Sequence, residues 1–228
     1  MEKSVIAKTY NIVTFGCQMN ARDSERLAGV LESLGYKYCD GENEAEIVIF
    51  NTCTVRENAN KRLYGRIGQL KNSCLQYKNK IIGICGCMMQ EPDEVETIIK
   101  KYPYVRLIFG TVNIDNFKNY IERVIGGEKR VVEVIDTKNM TKNDIKDIEE
   151  KRYKAIEDNK SLSDVREYKY KCGINIMFRC DNFCTYCIVP YVRGRERSRS
   201  VSEILDEIKM EVSTGVIEVM LLGQNINS

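Results

Sequence analysis

Tyr10-Asn11-Ile12-Val13-Thr14-Phe15-Gly16-Cys17 is a short, β-branched, apolar run that ends on a glycine and a cysteine. Its composition reads as a buried strand. From about Arg22 the period changes. Leu27, Val30, Leu31 and Leu34 fall on one helical face, and Gly35 stops the helix. The alternation then repeats. Glu46–Phe50 is a second strand, ending in Asn51-Thr52-Cys53. The helix after it carries Leu63, Ile67, Leu70, Cys74 and Tyr77 at helical spacing. Lys80–Cys85 is a third strand, ending in Gly86-Cys87, and Pro92 opens the next helix. Val105–Phe109 is a fourth strand closed by Gly110, and a last helix covers about Asp115–Ile125. Strands alternating with helices predict an α/β domain with a mainly parallel sheet covered on both faces. Function collects at the carboxyl ends of such strands. Cys17, Cys53 and Cys87 each lie just past a predicted strand, so three loops bring one thiol each to the same edge.

Residues 1–126 thus read as one domain. Residues 127–171 are rich in Lys, Glu, Asp and Asn and read as a charged linker, with a short hairpin expected around Lys129–Ile135. At residue 172 the pattern restarts. A strand, Gly173–Phe178, leads into Cys180-Asp181-Asn182-Phe183-Cys184-Thr185-Tyr186-Cys187. Ser200 and Glu203 form a capping-box pattern, and Ile204, Leu205, Ile208 and Val212 are the expected apolar face of the helix that follows. Gly215 ends that helix, and Val216–Leu222 is the next strand.

The chain has 228 residues, ten cysteines, no histidine and a net charge of +2. Without histidine there are no imidazole ligands, no Ser–His triads and no histidine bases. A metal site must rest on thiolates, which favour zinc or iron–sulfur clusters. No apolar run is long enough to span a membrane. The first residues have no long apolar core, so no signal peptide is expected. A cytoplasmic location is expected, where ten cysteines indicate metal or redox chemistry before disulfides.

Cys180, Cys184 and Cys187 offer three thiolates within eight residues. Such a set holds three corners of an iron–sulfur cube and leaves one iron open, whereas clusters normally take four cysteines. Zinc is the rival ligand, and plain packing the third reading. Zinc sites usually join two paired-cysteine units, and no second C-x2-C stands nearby. Cys17, Cys53 and Cys87 admit the same choice between a cluster and packing. Cys39, Cys74, Cys85 and Cys172 read as packing residues.

C-x3-C-x-aromatic-C after a strand resembles the signature of radical S-adenosylmethionine (SAM) enzymes. Gly16-Cys17-Gln18-Met19-Asn20, Asn51-Thr52-Cys53-Thr54-Val55-Arg56-Glu57 and Gly86-Cys87-Met88-Met89-Gln90 resemble the cysteine segments of the radical SAM methylthiotransferase family. Tyr186–Arg199 and Leu221–Asn227 resemble it too. The segments around Cys17 and Cys53 resemble the branch that acts on dimethylallyl-modified adenosine in tRNA. Two other branches act on threonylcarbamoyladenosine in tRNA and on a ribosomal protein, and a non-catalytic iron–sulfur or zinc protein is the remaining alternative.

The resemblance implies a 4Fe–4S cluster on Cys180, Cys184 and Cys187 that binds SAM, and a second, auxiliary 4Fe–4S cluster on Cys17, Cys53 and Cys87. It implies methylthiolation at C2 of N6-dimethylallyladenosine next to the anticodon, with one SAM as methyl donor and another as radical source. It points to Tyr186, Arg193, Gln224 and Asn225 as SAM-binding residues. Arg195, Arg197 and Arg199 stand in a basic loop suited to tRNA phosphates. Expected partners are tRNA and a reductant such as flavodoxin or ferredoxin, with no membrane, and the chain is expected to be a monomer.

Two departures stand out. The family usually has glycine where this chain has Arg179. The radical SAM domain, a partial TIM-type barrel, needs about six strands, and only the first βαβ elements are present. The chain is therefore expected to be an N-terminal portion of a longer enzyme, inactive by itself.

Overall fold

In the computed structural model, residues 8–54, 57–77, 79–135, 168–193 and 196–227 are described. Strands β1 (Thr9–Thr14), β2 (Lys37–Tyr38), β3 (Ile47–Thr52), β4 (Ile81–Gly86), β5 (Val105–Phe109) and β6 (Val131–Glu133) form one sheet in the order β2-β1-β3-β4-β5-β6. Every neighbouring pair is parallel. Helices α1 (Gln18–Ser33), α2 (Glu57–Gln76), α3 (Pro92–Lys101) and α4 (Phe117–Ile125) cover it. The central strands β3 and β4 are buried along their whole length, as expected for a sheet covered on both faces.

Strand alternation assigns the two faces. Ile47 and Ile49 join Leu27 and Leu31 of α1 and Phe117, Ile121 and Val124 of α4. Val48 and Phe50 join Leu63, Ile67 and Leu70 of α2 and Ile98 of α3. Each fully buried aliphatic or phenyl side chain contributes roughly 1.5–3 kcal/mol, so these two layers carry the fold. Cys85 packs into the first layer and is fully buried.

The hairpin expected around Lys129–Ile135 is not formed. Val131–Glu133 instead pairs parallel with Leu107–Phe109 as β6. The exposed edge of β5 offered unpaired backbone groups, and the short apolar run of β6 satisfies them. The sheet therefore extends past residue 126.

The second unit begins with β7 (Lys171–Asn175). It pairs parallel with β10 (Glu218–Leu222) across helix α6 (Val201–Ser213), which is a βαβ crossover. Between them lie β8 (Met177–Phe178), antiparallel to β9 (Arg197–Ser198), and the short helix α5 (Val189–Arg193). The Ser200 hydroxyl accepts from the Glu203 amide and the Glu203 carboxylate accepts from the Ser200 amide, so the capping box is formed. Cys172, Ile174 and Val216 pack with Ile204 and Ile208. The other half of the predicted helix face is corrected. Leu205 and Val212 are exposed, while Glu207 and Glu211 are buried.

Those glutamates mark the seam between the units. Arg22 of α1 donates to Glu211 at 2.7 Å and to Glu207 at 3.1 Å. Arg199 donates to Glu207 at 2.5 Å and to the Asn175 carbonyl at 2.9 Å. Met19 packs with Phe178 and Leu222 beside them.

Candidate metal centre

Each of the three N-terminal cysteines follows one of three neighbouring strands. Cys17 comes after β1, Cys53 after β3 and Cys87 after β4, and these strands lie side by side. Tertiary order converts sequence distances of more than thirty residues into one cluster of loops.

Backbone chemistry fixes how β4 enters its cysteine. Gly86 has φ +103°, and a Cβ there would stand 2.2 Å from the Thr52 carbonyl oxygen. Only glycine fits such an approach at positive φ. Two buried amides clamp the Cys17 and Cys53 loops together. Asn20 Nδ2 donates to Asn51 Oδ1 and to the Thr52 carbonyl, both at 3.0 Å. Asn51 Nδ2 donates back to the Asn20 carbonyl at 2.9 Å and to Ser24 Oγ at 3.0 Å. The Cys17 thiol donates to Asn20 Oδ1 at 3.3 Å.

Cys17, Cys53 and Cys87 line one cavity of about 340 Å³. Its opposite wall comes from the second unit, with Val189, Val192 and Arg193 of α5 and Leu222, Gly223 and Gln224 after β10. Cys53 and Cys87 are buried, and Cys17 opens to solvent. Among the described residues no three His, Cys, Asp or Glu side chains converge on a single metal ion. A cubane instead takes its thiolates at separate corners, which is what a cavity edged by three thiols offers. Two residues lining this space carry a buried polar atom without a hydrogen-bond partner among the described residues, Arg193 at Nη2 and Gln224 at Oε1. Soft donors, a cavity and unsatisfied polar groups fit an iron–sulfur cluster and its ligand.

Burial pushes the Cys87 thiol above its ordinary range; the Arg193 charge pulls it down, and Cys53 and Cys17 push it up again. The neighbouring thiols thus oppose ionisation of Cys87, and the Arg193 guanidinium favours it.

The second triad lies on one loop. Cys180 is buried, Cys187 is half-buried and Cys184 is exposed. The Cys187 amide closes a turn onto the Cys184 carbonyl at 2.9 Å. Arg179 stands at φ +73° and Phe183 at φ +44°. The backbone before Cys180 therefore adopts the left-handed conformation that glycine takes without strain, and Arg179 holds it at a cost of about 1–2 kcal/mol. The loop is braced by Asp181 Oδ1 accepting from the Glu196 amide at 2.8 Å, and by Phe183 against Tyr191 edge to face.

The other predicted site residues separate. Gln224 reaches the thiol cavity. Arg193 does too, beside the first triad and not in the loop of the second. Asn225 Nδ2 donates to Glu196 at 3.0 Å. Tyr186 projects into solvent, 91% exposed. Arg197 lies over the Phe178 ring at 5.6 Å. Arg199 is bound inside the protein by Glu207 and the Asn175 carbonyl, so its guanidinium is not offered to a phosphate as the sequence suggested. Arg195 lies outside the described residues. Sequence reasoning missed Asn20, Asn51, Arg22, Glu207 and Glu211. The asparagines carried a signal, since each stands within three residues of a site cysteine.

Comparison with known proteins matches residues 9–110 to the uncharacterized protein family UPF0004 and residues 174–228 to the radical SAM superfamily. The iron–sulfur cluster and SAM that this superfamily uses follow for the radical SAM segment. The chain is 53% identical over 220 residues to a protein of Lachnoclostridium phytofermentans named tRNA-2-methylthio-N(6)-dimethylallyladenosine synthase, covering 96% of this chain and 44% of that one. Proteins of the same name from Clostridium tetani and Acetivibrio thermocellus are 48% and 46% identical, over 96% and 97% of this chain and 45% and 42% of theirs. The chain thus spans a little under half the length of these curated relatives. No helix among the described residues is long and apolar enough to cross a membrane.

Proposed function

We propose that this chain is the two-cluster portion of an enzyme that methylthiolates C2 of N6-dimethylallyladenosine in tRNA, next to the anticodon. The carrying observation is the single cavity. Three thiols from the UPF0004 segment face Arg193 and Gln224 from the radical SAM segment across it. The names of the relatives, shared by proteins that match nearly the whole chain, supply the substrate.

In this reading Cys17, Cys53 and Cys87 hold an auxiliary 4Fe–4S cluster, and Cys180, Cys184 and Cys187 hold the one that binds SAM. When bound, these groups supply one-electron reduction and a sulfur-accepting iron, which side chains alone lack. The protein contributes placement. Gly86 and the Asn20–Asn51 pair set the three strand-end thiols in one plane of loops. The Arg22–Glu207–Arg199 seam fixes the second loop against the first unit. Burial of Cys53, Cys87 and Arg193 strengthens the charge interactions among them. Gln224 Oε1 is an acceptor for an N–H of SAM or of the adenine. Tyr186 is a SAM-binding residue in this reading, and Arg195 and Arg197 are the residues that bind tRNA phosphates. Residues 1–126 with β6 form the auxiliary-cluster domain, residues 134–171 the connection, and residues 172–228 the start of the radical SAM domain. A small reductant protein delivers the electron, and the chain is monomeric.

Anaerobic reconstitution tests the reading. At about four irons per cubane, the chain is expected to bind about eight irons. Replacing either cysteine triad by alanine should remove half. Zinc without iron in the reconstituted chain would overturn the proposal. Little 5′-deoxyadenosine is expected from this portion on adding dithionite and SAM.

A further inference from the structure

Arg193 stands out among the cavity groups. It is carried by the radical SAM segment, yet its guanidinium enters the thiol site of the other unit. The residue is only 7% exposed, and Nη2 has no hydrogen-bond partner among the described residues. Nη1 reaches the Met19 sulfur at 4.0 Å, and the guanidinium also meets the Cys87 thiol. A buried cation without a carboxylate in hydrogen-bond contact is costly. It persists where an anion is expected to arrive. The surrounding charges agree. Cys87, Asp23 and Cys17 all favour the charged guanidinium, in that order, against the burial that opposes it. Asp23 adds negative charge nearby, and Cys87, the largest favourable contributor, lines the same cavity as Arg193.

We propose that Arg193 is the counter-cation of the Cys17, Cys53 and Cys87 site, supplied across the seam, so that the auxiliary centre is complete only when the radical SAM segment is docked on the sheet edge. This rests on reading the three thiols as a cluster site. Three thiolates give a 4Fe–4S centre a net negative charge, and a one-electron reduction makes it more negative. A buried positive charge beside it favours the reduced state. Two structural features hold the cation there. The Val192 carbonyl accepts from Thr111 Oγ1 at 3.5 Å, and α5 packs against the turn that begins at Cys87. Gln224 Oε1 marks the same wall as a separate acceptor.

The test uses the chain with Cys180, Cys184 and Cys187 changed to alanine, so that iron reports the first triad alone. Iron content and the midpoint potential, from a dithionite titration followed by electron paramagnetic resonance, are compared for that parent, for Arg193→Lys and for Arg193→Met. Arg193→Met is expected to disfavour reduction at least tenfold, about 59 mV lower for a one-electron couple, or to lose its iron. Arg193→Lys is expected to stay with the parent in both readouts. A lysine variant that behaves like the methionine variant, in iron content or in potential, overturns the counter-cation role. A parent that binds no iron overturns the cluster reading itself, and that failure shows in the parent before any change at Arg193.

Discussion

Arg22→Met removes the cation at the centre of the seam. Arg22 is 4% exposed and meets Glu211, 2% exposed, at 2.7 Å and Glu207, 8% exposed, at 3.1 Å. At an effective dielectric of about 20, each pair is attracted by about 4 kcal/mol across a charge separation near 4 Å. Burying each ion costs several kcal/mol. Burial opposes the Arg22 charge, and Glu211, Glu207 and Glu25 together overcome that opposition. Deleting one member removes the attraction and leaves the cost. The expected loss is about 3–5 kcal/mol. Urea unfolding followed by tyrosine fluorescence reads it directly, because the chain has no tryptophan. With a slope of about 2–3 kcal/mol/M, the midpoint should fall by roughly 1–2 M. Arg22→Met combined with Glu211→Leu should recover most of the loss, since an apolar replacement of a buried pair is nearly neutral. A single variant within about 0.5 kcal/mol of the parent would falsify the claim that the two units are joined by these charges.

Three further outcomes follow from the same structure. Burial opposes the Glu207 charge, but Arg199 and Arg22 hold its carboxyl below the ordinary carboxylate range. The unfolded chain therefore takes up that proton more readily than the folded one. The stabilisation is present above an unfolded value near about 4.3 and is lost as pH falls through the lower folded value; Glu207→Gln should flatten that acid limb of the stability–pH curve. Gly86→Ala places a methyl 2.2 Å from the Thr52 oxygen at φ +103°, and is expected to cost more than about 3 kcal/mol, measured as a lower thermal midpoint, with a normal midpoint refuting the close approach. At Arg179, φ +73° predicts the stability order Gly at least equal to Arg, and Arg above Val, because a β-branched residue tolerates positive φ worst. A valine variant as stable as the glycine variant would contradict that backbone geometry.

The β-branched runs, the helical stripes and the glycines that close them were legible in the sequence because strand and helix periods are local. So were the three strand-end cysteines and the C-x3-C-x2-C loop, since each motif is complete within a few residues. The capping box at Ser200 formed as read for the same reason. Legibility failed where the partner is remote. Val131–Glu133 looked like half of a hairpin, yet it completes the edge of β5. Leu205 and Val212 looked like core, yet Glu207 and Glu211 take the buried positions.

Sequence alone determined the available donor set: cysteines past three strand ends and three more on one loop, no imidazole anywhere, and glycines that let the backbone turn into the thiols. Only tertiary structure decided what stands together. It laid β1, β3 and β4 side by side so that three distant thiols edge one cavity. It set Arg193 on the wall of the thiol cavity, and drew Arg199 inward onto Glu207. The physical reason is that burying a charge is unfavourable unless an opposite charge meets it. A charged residue read from sequence defaults to solvent. Here one of the two cations that meet Glu207, Arg22, stands 185 residues away on α1, a separation at which no local period carries information.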